Sequence, residues 1–248
     1  MLHLTVSNRA HPGLELLLAT AKKANLQSRV LGTTKTFGHG AGWGFRLDII
    51  KDEMKALDPD TKVLITDGWD VLINGSTDKL ENWIEEHPGK VLFAGEIFKH
   101  PYKDIFYPKS DGLYPYLNAG IYAGRAADIL EILQAPYDSK TDDQGYYTLQ
   151  FLYGNKIVID SHAQFFVCLA GVTTLPELPF PFAVHMNGGK ARVNHAINVT
   201  RKIMPSHVHL AYGVVWDEYS TFLFTGILGF IVKTLALLAL IYVVSINF

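Results

Sequence analysis

Short apolar runs alternate with segments of helical periodicity along the first hundred residues. The runs predicted to be strands are residues 2–6, 28–31, 62–66 and 91–94. The segments predicted to be helices are residues 12–25, 47–57 and 77–87. Because the run at 62–66 is apolar without alternation, we expect a strand buried on both faces, as in a parallel sheet between helix layers.

The same order of elements continues, less regularly, beyond residue 100. Strands are predicted at 116–124 and 157–159, helices at 126–133 and 142–153, and a last short apolar segment at 182–185. This alternation favours an α/β fold with a nucleotide-binding half. We assign one domain to residues 1–216 and a separate C-terminal segment to residues 217–248.

The C-terminal segment carries the strongest hydrophobic signal of the chain. Residues 222–246 form a run of 25 residues with one charge, Lys233. A helix of this length, at ~1.5 Å per residue, exceeds the ~30 Å hydrocarbon core of a bilayer. We therefore predict a single-pass membrane anchor through 222–246, with the preceding domain in the cytosol because no secretory signal opens the sequence. The alternatives are a buried helix, or a helix in the membrane plane with Lys233 at the surface.

The composition restricts the class of protein. With 48% hydrophobic and 19% charged residues among 248, the chain is neither disordered nor fibrous. A formal net charge of −2 leaves no basic footprint, so we predict no nucleic-acid partner. The single cysteine, Cys168, lies in an apolar run and is predicted to be a buried structural thiol.

Two acids flank a turn directly after the apolar run at 62–66. Asp67 and Asp70 would lie at the carboxyl end of a central strand, the edge at which open α/β sheets bind ligands. Two carboxylates at this spacing can bind one hard cation, such as Mg²⁺ or Mn²⁺ beside a phosphate. The alternative is that both acids cap the turn. Trp69, between them, is a candidate for stacking on a base, with core packing as its alternative.

A second polar cluster follows the last apolar segment. His185, Asn187, Gly188 and Lys190 offer an imidazole, an amide, a flexible backbone and an ammonium within six residues. Glycine N–H groups and a lysine suit a diphosphate, and a neutral histidine can complete a metal shell. The alternative is a surface turn, which Asn-Gly also favours.

A pair of acids, Asp142 and Asp143, opens the helix predicted at 142–153. Acids at this position interact favourably with the helix dipole, which is their structural interpretation. The functional alternative is that one of them faces an acceptor pocket as a base or as a stabiliser of positive charge.

Five short motifs, three of which contain the residues described above, occur in an order that resembles a known family. They are VLITDGWDV at 63–71, FAGE at 93–96, YLNAG at 116–120, DDQ at 142–144 and VHMNG at 184–188. Together they are similar to the glycosyltransferase domain of procollagen lysyl hydroxylases and related collagen-type glycosyltransferases, over residues 1–190. The resemblance implies a GT-A-type, Rossmann-like domain with a mixed sheet that binds a nucleotide sugar, a UDP-hexose, together with Mn²⁺.

The resemblance also implies roles for particular residues. Asp67 and Asp70 would hold the metal together with His185, and Trp69 would stack on uracil. The residues implied to bind the donor are Asn118, in the donor pocket, and Asn187, Gly188 and Lys190, against the diphosphate. The residues implied to be catalytic, on the sugar or acceptor side, are Asp142 and Asp143.

The sequence departs from the family pattern at two places. Gly44 occupies the position at which the family has a lysine after its glycine-rich loop, with Arg46 nearby, and Lys99-His100-Pro101 replaces Cys-Trp-Pro. Both positions lie near the expected donor and acceptor pocket, so the specificity of the family is not carried over. No hydroxylase region accompanies the motifs, and a collagen acceptor is not implied.

Three functions remain open on the sequence. The first is a glycosyltransferase, dependent on Mn²⁺ or Mg²⁺, that moves a hexose from UDP-glucose or UDP-galactose to a protein or glycan acceptor. The second is a non-catalytic module that binds a nucleotide sugar or glycan. The third is a metal-dependent phosphotransferase or hydrolase, which is less favoured because the sequence has neither a P-loop nor a second carboxylate cluster.

Overall fold

A computed structural model describes residues 1–33, 43–173, 181–218 and 220. Its strands are β1 (Leu2–Val6), β2 (Gln27–Leu31), β3 (Lys62–Asp67), β4 (Val71–Ile73), β5 (Val91–Glu96), β6 (Tyr116–Arg125), β7 (Ile157–Asp160), β8 (Phe166–Cys168) and β9 (Ala183–His185). Its helices are α1 (Pro12–Lys23), α2 (Gly44–Ala56), α3 (Asp78–Glu86), α4 (Ala126–Ile132), α5 (Asp143–Tyr153) and α6 (Gly189–Ile203). Pro205–His207 form a 3₁₀ turn, and residues 208–218 are helical.

A six-stranded mixed sheet, in the order β2-β1-β3-β6-β5-β7, forms the centre of the fold. β1 is parallel to β2 and β3, and β5 is parallel to β7, whereas β6 is antiparallel to both β3 and β5. Because β6 runs the other way, its first half lies beside the carboxyl ends of β3 and β5. Thr66 is therefore opposite Ile121, and Ala94 is opposite Asn118.

A second, three-stranded sheet in the order β4-β9-β8 lies beside the first. β4 pairs antiparallel to β9 with Val71 opposite His185, and β8 pairs parallel to β9 with Cys168 opposite His185. This register places the end of the 67–70 turn beside His185, which is 115 residues later in the sequence.

The core occupies both faces of the central sheet. On β3, Val63 and Ile65 pack into one cluster with α2, α4 and α5, while Leu64 packs into the opposite cluster with α1 and α3. All three side chains are fully buried. The unbroken apolar run at 62–66 is explained by this burial on both faces.

No helix in the described ranges is long and apolar enough to cross a membrane. The longest of the helices α1–α6 is α6, with 15 residues, or ~22 Å at ~1.5 Å per residue, against the ~30 Å of a bilayer core. This finding contradicts the predicted fold class as far as it includes a transmembrane helix, and that part of the prediction is wrong. The predicted membrane location with a cytosolic domain is wrong for the same reason. Residues 222–246, to which those predictions applied, lie outside the described residues.

Candidate active site

Asp67, Asp70 and His185 converge where the two sheets meet. Asp67 is the last residue of β3, Asp70 immediately precedes β4, and His185 is the last residue of β9. The Nε2 atom of His185 lies 3.4 Å from Asp67 Oδ2 and 3.4 Å from Asp70 Oδ1. One ligand atom from each of the three residues lies within 4.8 Å of the other two, so the cluster could hold a metal ion.

The hydrogen bonds of His185 fit a metal ligand. Asn118 Oδ1 accepts the backbone N–H of Gly120 at 2.9 Å, and it also lies 3.0 Å from His185 Nδ1. Since that oxygen is an acceptor, Nδ1 carries a proton, and Nε2 is the nitrogen that faces the two acids. Nε2 is buried and makes no hydrogen bond within the described residues. A buried imidazole nitrogen between two carboxylates fits Mn²⁺ or Mg²⁺ once Nε2 has lost its proton, as every metal-binding histidine must.

The electrostatics of the cluster are tightly linked. Burial by itself lowers the pKa of His185, but the negative charges of Asp70 and Asp67 raise it well above its ordinary value. Burial raises the pKa of Asp67, but the positive charges of Arg46 and His185 outweigh it and hold that pKa well below its ordinary range. The carboxylate of Asp67 is therefore available as an anionic ligand near neutral pH.

Arg46 links the metal cluster to α5. Its Nη2 donates to Asp67 Oδ1 at 2.7 Å, and its Nη1 donates to Asp143 Oδ2 at 2.7 Å. Arg46 reaches both acids because the first residue of α2 packs directly against the residues that precede α5. A Cβ on Gly44 would lie 1.9 Å from the carbonyl oxygen of Asp138, so only glycine permits this approach. Arg46 is not among the site residues that the sequence predicts, although it lies close to the departure from the family pattern at Gly44.

The two acids of α5 have different environments. Asp142 is the N-cap, and its carboxylate accepts the backbone N–H of Gly145 at 2.7 Å. Asp143 is buried beneath Arg46, and burial raises its pKa to about 6 despite the opposing charge of Arg46. Their predicted catalytic role stays a prediction.

A buried hydrogen-bonded network supports the cluster from behind. Glu96 accepts from Gln144 Nε2 at 2.6 Å and from Asn187 Nδ2 at 2.9 Å. Gln144 Oε1 accepts the backbone N–H of Ala119 at 3.3 Å and Asn118 Nδ2 at 3.5 Å. Burial raises the pKa of Glu96. Glu96 and Gln144 were not predicted as site residues, although both lie in motifs quoted above.

Trp69 lies between Asp67 and Asp70 in the sequence, but its ring contacts residues at and before the start of α1. Its Nε1 donates to Ser7 Oγ at 3.0 Å, and its ring stacks on His11 with centroids 4.8 Å apart. The guanidinium carbon of Arg9 is 4.4 Å from the centre of the Trp69 ring. Asp217, in the 208–218 helix, pairs with both His11 and Arg9.

The remaining predicted residues lie at the start of α6. Asn187 is held by Glu96 and also accepts the backbone N–H of Ala170 at 3.0 Å. Gly188 is the N-cap of α6 with φ +83°, a conformation that favours glycine, and it is exposed. Lys190 is exposed in the first turn of α6. Most of the glycine-rich loop that precedes α2 lies outside the described residues.

Comparison with known proteins identifies the family. Residues 1–209 match the family model described as PLOD GT domain, in which GT denotes glycosyltransferase. The chain belongs to this family. The finding confirms the resemblance stated from the sequence motifs, and it places the Asp67, Asp70 and His185 cluster within a glycosyltransferase domain.

Individual relatives agree with the PLOD GT assignment. The chain is 28% identical over 157 residues to a procollagen-lysine,2-oxoglutarate 5-dioxygenase of Drosophila melanogaster, covering 60% of this chain and 22% of that protein. It is 26% identical over 215 residues to procollagen-lysine,2-oxoglutarate 5-dioxygenase 2 of Mus musculus, covering 81% of this chain and 28% of that protein. The chain therefore spans about a quarter of the length of these relatives.

A solved structure of a glycosyltransferase involved in the glycosylation of the major capsid of PBCV-1 has a similar fold. The TM-score is 0.50 at 17% identity, and the match covers 75% of this chain and 92% of that chain. At this identity the similarity concerns the fold alone.

Proposed function

We propose that this PLOD GT domain transfers a hexose from a UDP-sugar, UDP-glucose or UDP-galactose, to a glycan or protein acceptor, with Mn²⁺ or Mg²⁺ as cofactor. The observation that carries the proposal is the cluster of Asp67, Asp70 and His185, in which the buried Nε2 of His185 lies between two carboxylates and makes no hydrogen bond to the part of the chain that the structure describes. An anionic pair with a neutral nitrogen is a donor set suited to a divalent cation beside a diphosphate.

In this proposal, Asp67, Asp70 and His185 hold the cation. The bound ion would supply positive charge that neutralises the diphosphate of the departing UDP. Asn118 keeps Nδ1 of His185 protonated through its side-chain oxygen, and so keeps Nε2 available as a ligand. The buried position of Asp70 and His185 excludes water from one side of the site.

The proposal places the UDP moiety along the edge formed by Trp69 and the start of α6. Gly188 and Lys190 are exposed there, where backbone N–H groups of a helix N-terminus and an ammonium suit a diphosphate. Asn187 shapes this turn through its hydrogen bonds to Glu96 and Ala170. Trp69 is proposed to stack on the uracil base, a role that requires Arg9 to leave the part of the ring that the base covers.

The decisive experiment is a screen of UDP-sugars for release of UDP, with Mn²⁺, with Mg²⁺ and with a chelator. We expect release with one UDP-hexose only in the presence of the cation, and faster release when an acceptor glycan or peptide is added. If the protein bound the UDP-sugar but released no UDP with any acceptor tested, it would instead be a non-catalytic module that binds a nucleotide sugar.

Variants tie the activity to the site. Asp67→Asn and Asp70→Asn should abolish cation-dependent release. Asp60→Asn is a matched control, because Asp60 pairs with Arg125 as Asp67 pairs with Arg46 but lies outside the cluster. Equal activity in all three variants would overturn the proposed metal site.

A further inference from the structure

Arg46 makes two side-chain hydrogen bonds that join β3 and α5 across the candidate site. Its side chain is 11% exposed, and its guanidinium bonds one oxygen of Asp67 on β3 and one oxygen of Asp143 on α5. The other oxygen of Asp67, Oδ2, is the one that lies 3.4 Å from His185 Nε2. The other oxygen of Asp143 accepts the backbone N–H of Gln144 at 3.0 Å.

This division of oxygens has a consequence for the cation. Since Arg46 holds Oδ1 of Asp67, the carboxylate cannot rotate without breaking a charge-assisted hydrogen bond. Oδ2 is then kept toward Asp70 and His185. Asp143 fixes the far side of the same planar guanidinium, and Asp143 is itself fixed in the first turn of α5.

We infer that Arg46 is a positioning residue that is anchored by Asp143. It orients Asp67 toward the cation and does not contact the cation itself. The inference rests on the proposed function, because it concerns the same metal site. It assigns Asp143 a role that acts through Arg46 on Asp67, which differs from the role of a base at the sugar.

Charge and orientation make opposite predictions for Arg46. If Arg46 acted only through its charge, its removal would leave Asp67 and Asp143 less neutralised, and the site would bind Mn²⁺ more tightly. If Arg46 orients Asp67, its removal frees the carboxylate and the site binds Mn²⁺ more weakly. Residues that orient metal ligands typically contribute about 10–100-fold to metal affinity. The sign of the change therefore separates the two accounts.

The test measures Mn²⁺ alone, from the electron paramagnetic resonance signal of the free ion, in the full chain and its variants. We expect Arg46→Met to weaken Mn²⁺ binding by about 10–100-fold. Arg46→Lys keeps the charge but replaces the planar fork by a single ammonium, so we expect weaker binding there too. Arg125→Met is the matched control, because Arg125 also joins two acids, Asp60 and Glu85, at a different surface.

A double-mutant cycle tests the anchor. Asp143→Asn should weaken Mn²⁺ binding in the wild-type background and change it little in the Arg46→Met background. Equal effects in both backgrounds would mean that Asp143 acts by charge alone, and would overturn the anchoring role. Circular dichroism identifies variants that fold, and Arg46→Lys and Asp143→Asn carry the test if Arg46→Met does not.

The remaining outcomes are distinguishable. Tighter binding by Arg46→Met, or unchanged binding by Arg46→Lys, overturns the inference and leaves the proposed function in place. Absence of Mn²⁺ binding by the unmodified chain overturns the proposed metal dependence, and the inference falls with it.

Discussion

Gly120 lies directly behind the imidazole of His185. A Cβ at residue 120 would stand 2.1 Å from His185 Cε1 and 2.8 Å from Asp67 Oδ2. Heavy atoms cannot approach this closely unless the neighbouring groups move. The lack of a side chain at residue 120 therefore leaves the space in which His185 and Asp67 meet.

Gly120→Ala should therefore damage the metal cluster. We expect loss of Mn²⁺ binding and a free energy of unfolding lower by about 1–3 kcal/mol, because a methyl group overpacks a buried site. Gly124→Ala is the control on the same strand, where the added Cβ meets the Val91 side chain at 3.0 Å, a much longer distance than the 2.1 Å at Gly120. Titration with Mn²⁺ and urea unfolding measure both effects. Mn²⁺ binding that survives in Gly120→Ala would contradict this geometry.

Trp69→Ala should weaken UDP binding. Stacking between a base and an aromatic side chain contributes about 1–3 kcal/mol, and the quenching of tryptophan fluorescence by UDP should largely disappear. Trp83→Ala is the matched control, because Trp83 also stacks on a histidine, His87, with ring centroids 4.3 Å apart. If UDP still quenched the fluorescence of Trp69→Ala fully, and the quenching were lost in another tryptophan variant, the base would bind at that other tryptophan and the prediction would be wrong.

His3 should make the fold sensitive to acid. Its ring is fully buried between Ser28 Oγ and Thr66 Oγ1, at 2.8 and 2.9 Å, and burial lowers the pKa of His3 to about 4. The unfolded chain binds a proton below about pH 6.5, while the folded chain does not until about pH 4. Falling pH across this window therefore favours unfolding.

The measurement compares urea unfolding of the wild type and His3→Gln as a function of pH. We expect the stability of the wild type relative to the variant to fall by about 3 kcal/mol between pH 6.5 and 4. Other groups that titrate in this window are common to both chains and cancel in the difference. A difference that is constant with pH would show that His3 has the same pKa in the folded and the unfolded chain, and would contradict the prediction.

Asp160→Ala should destabilise the connection between the two sheets. The Asp160 carboxylate is 6% exposed and accepts the backbone N–H groups of Gln164, Phe165 and Phe166 between 2.7 and 2.9 Å. Its removal leaves buried donors without an acceptor, so we expect a loss of about 3 kcal/mol in urea unfolding. Asp111→Ala, at an exposed ion pair with His162, should leave the stability nearly unchanged. Similar stabilities for the two variants would contradict this account.

Much of the fold follows from the periodicity of the sequence. The apolar runs at 2–6, 62–66 and 91–94 correspond to β1, β3 and β5, and the amphipathic segments correspond to α1, α2 and α3. The short strands β4 and β8 were not predicted, since three residues are too few to show a period. The helix α6 was missed because its start was interpreted only as a turn with binding groups.

The site was predictable in part. Asp67 and Asp70 could be placed together from their spacing, and the family resemblance added His185 to them. Arg46, Gln144 and Glu96 gave no local signal, because each acts through partners far away in the sequence. Arg46 and Asp143, for example, are 97 residues apart and meet only when α2 begins against the residues before α5.

The contacts of Asp217 matter for anyone who designs a shortened fragment. The family match ends at residue 209, yet Ala211 and Val214 are buried in the core, and Asp217 pairs with His11 and Arg9. A fragment cut at 209 would expose apolar surface, and one cut at 216 would remove the acid beside the two residues that contact Trp69. Fragments for crystallisation or ligand screening should therefore extend at least through Glu218.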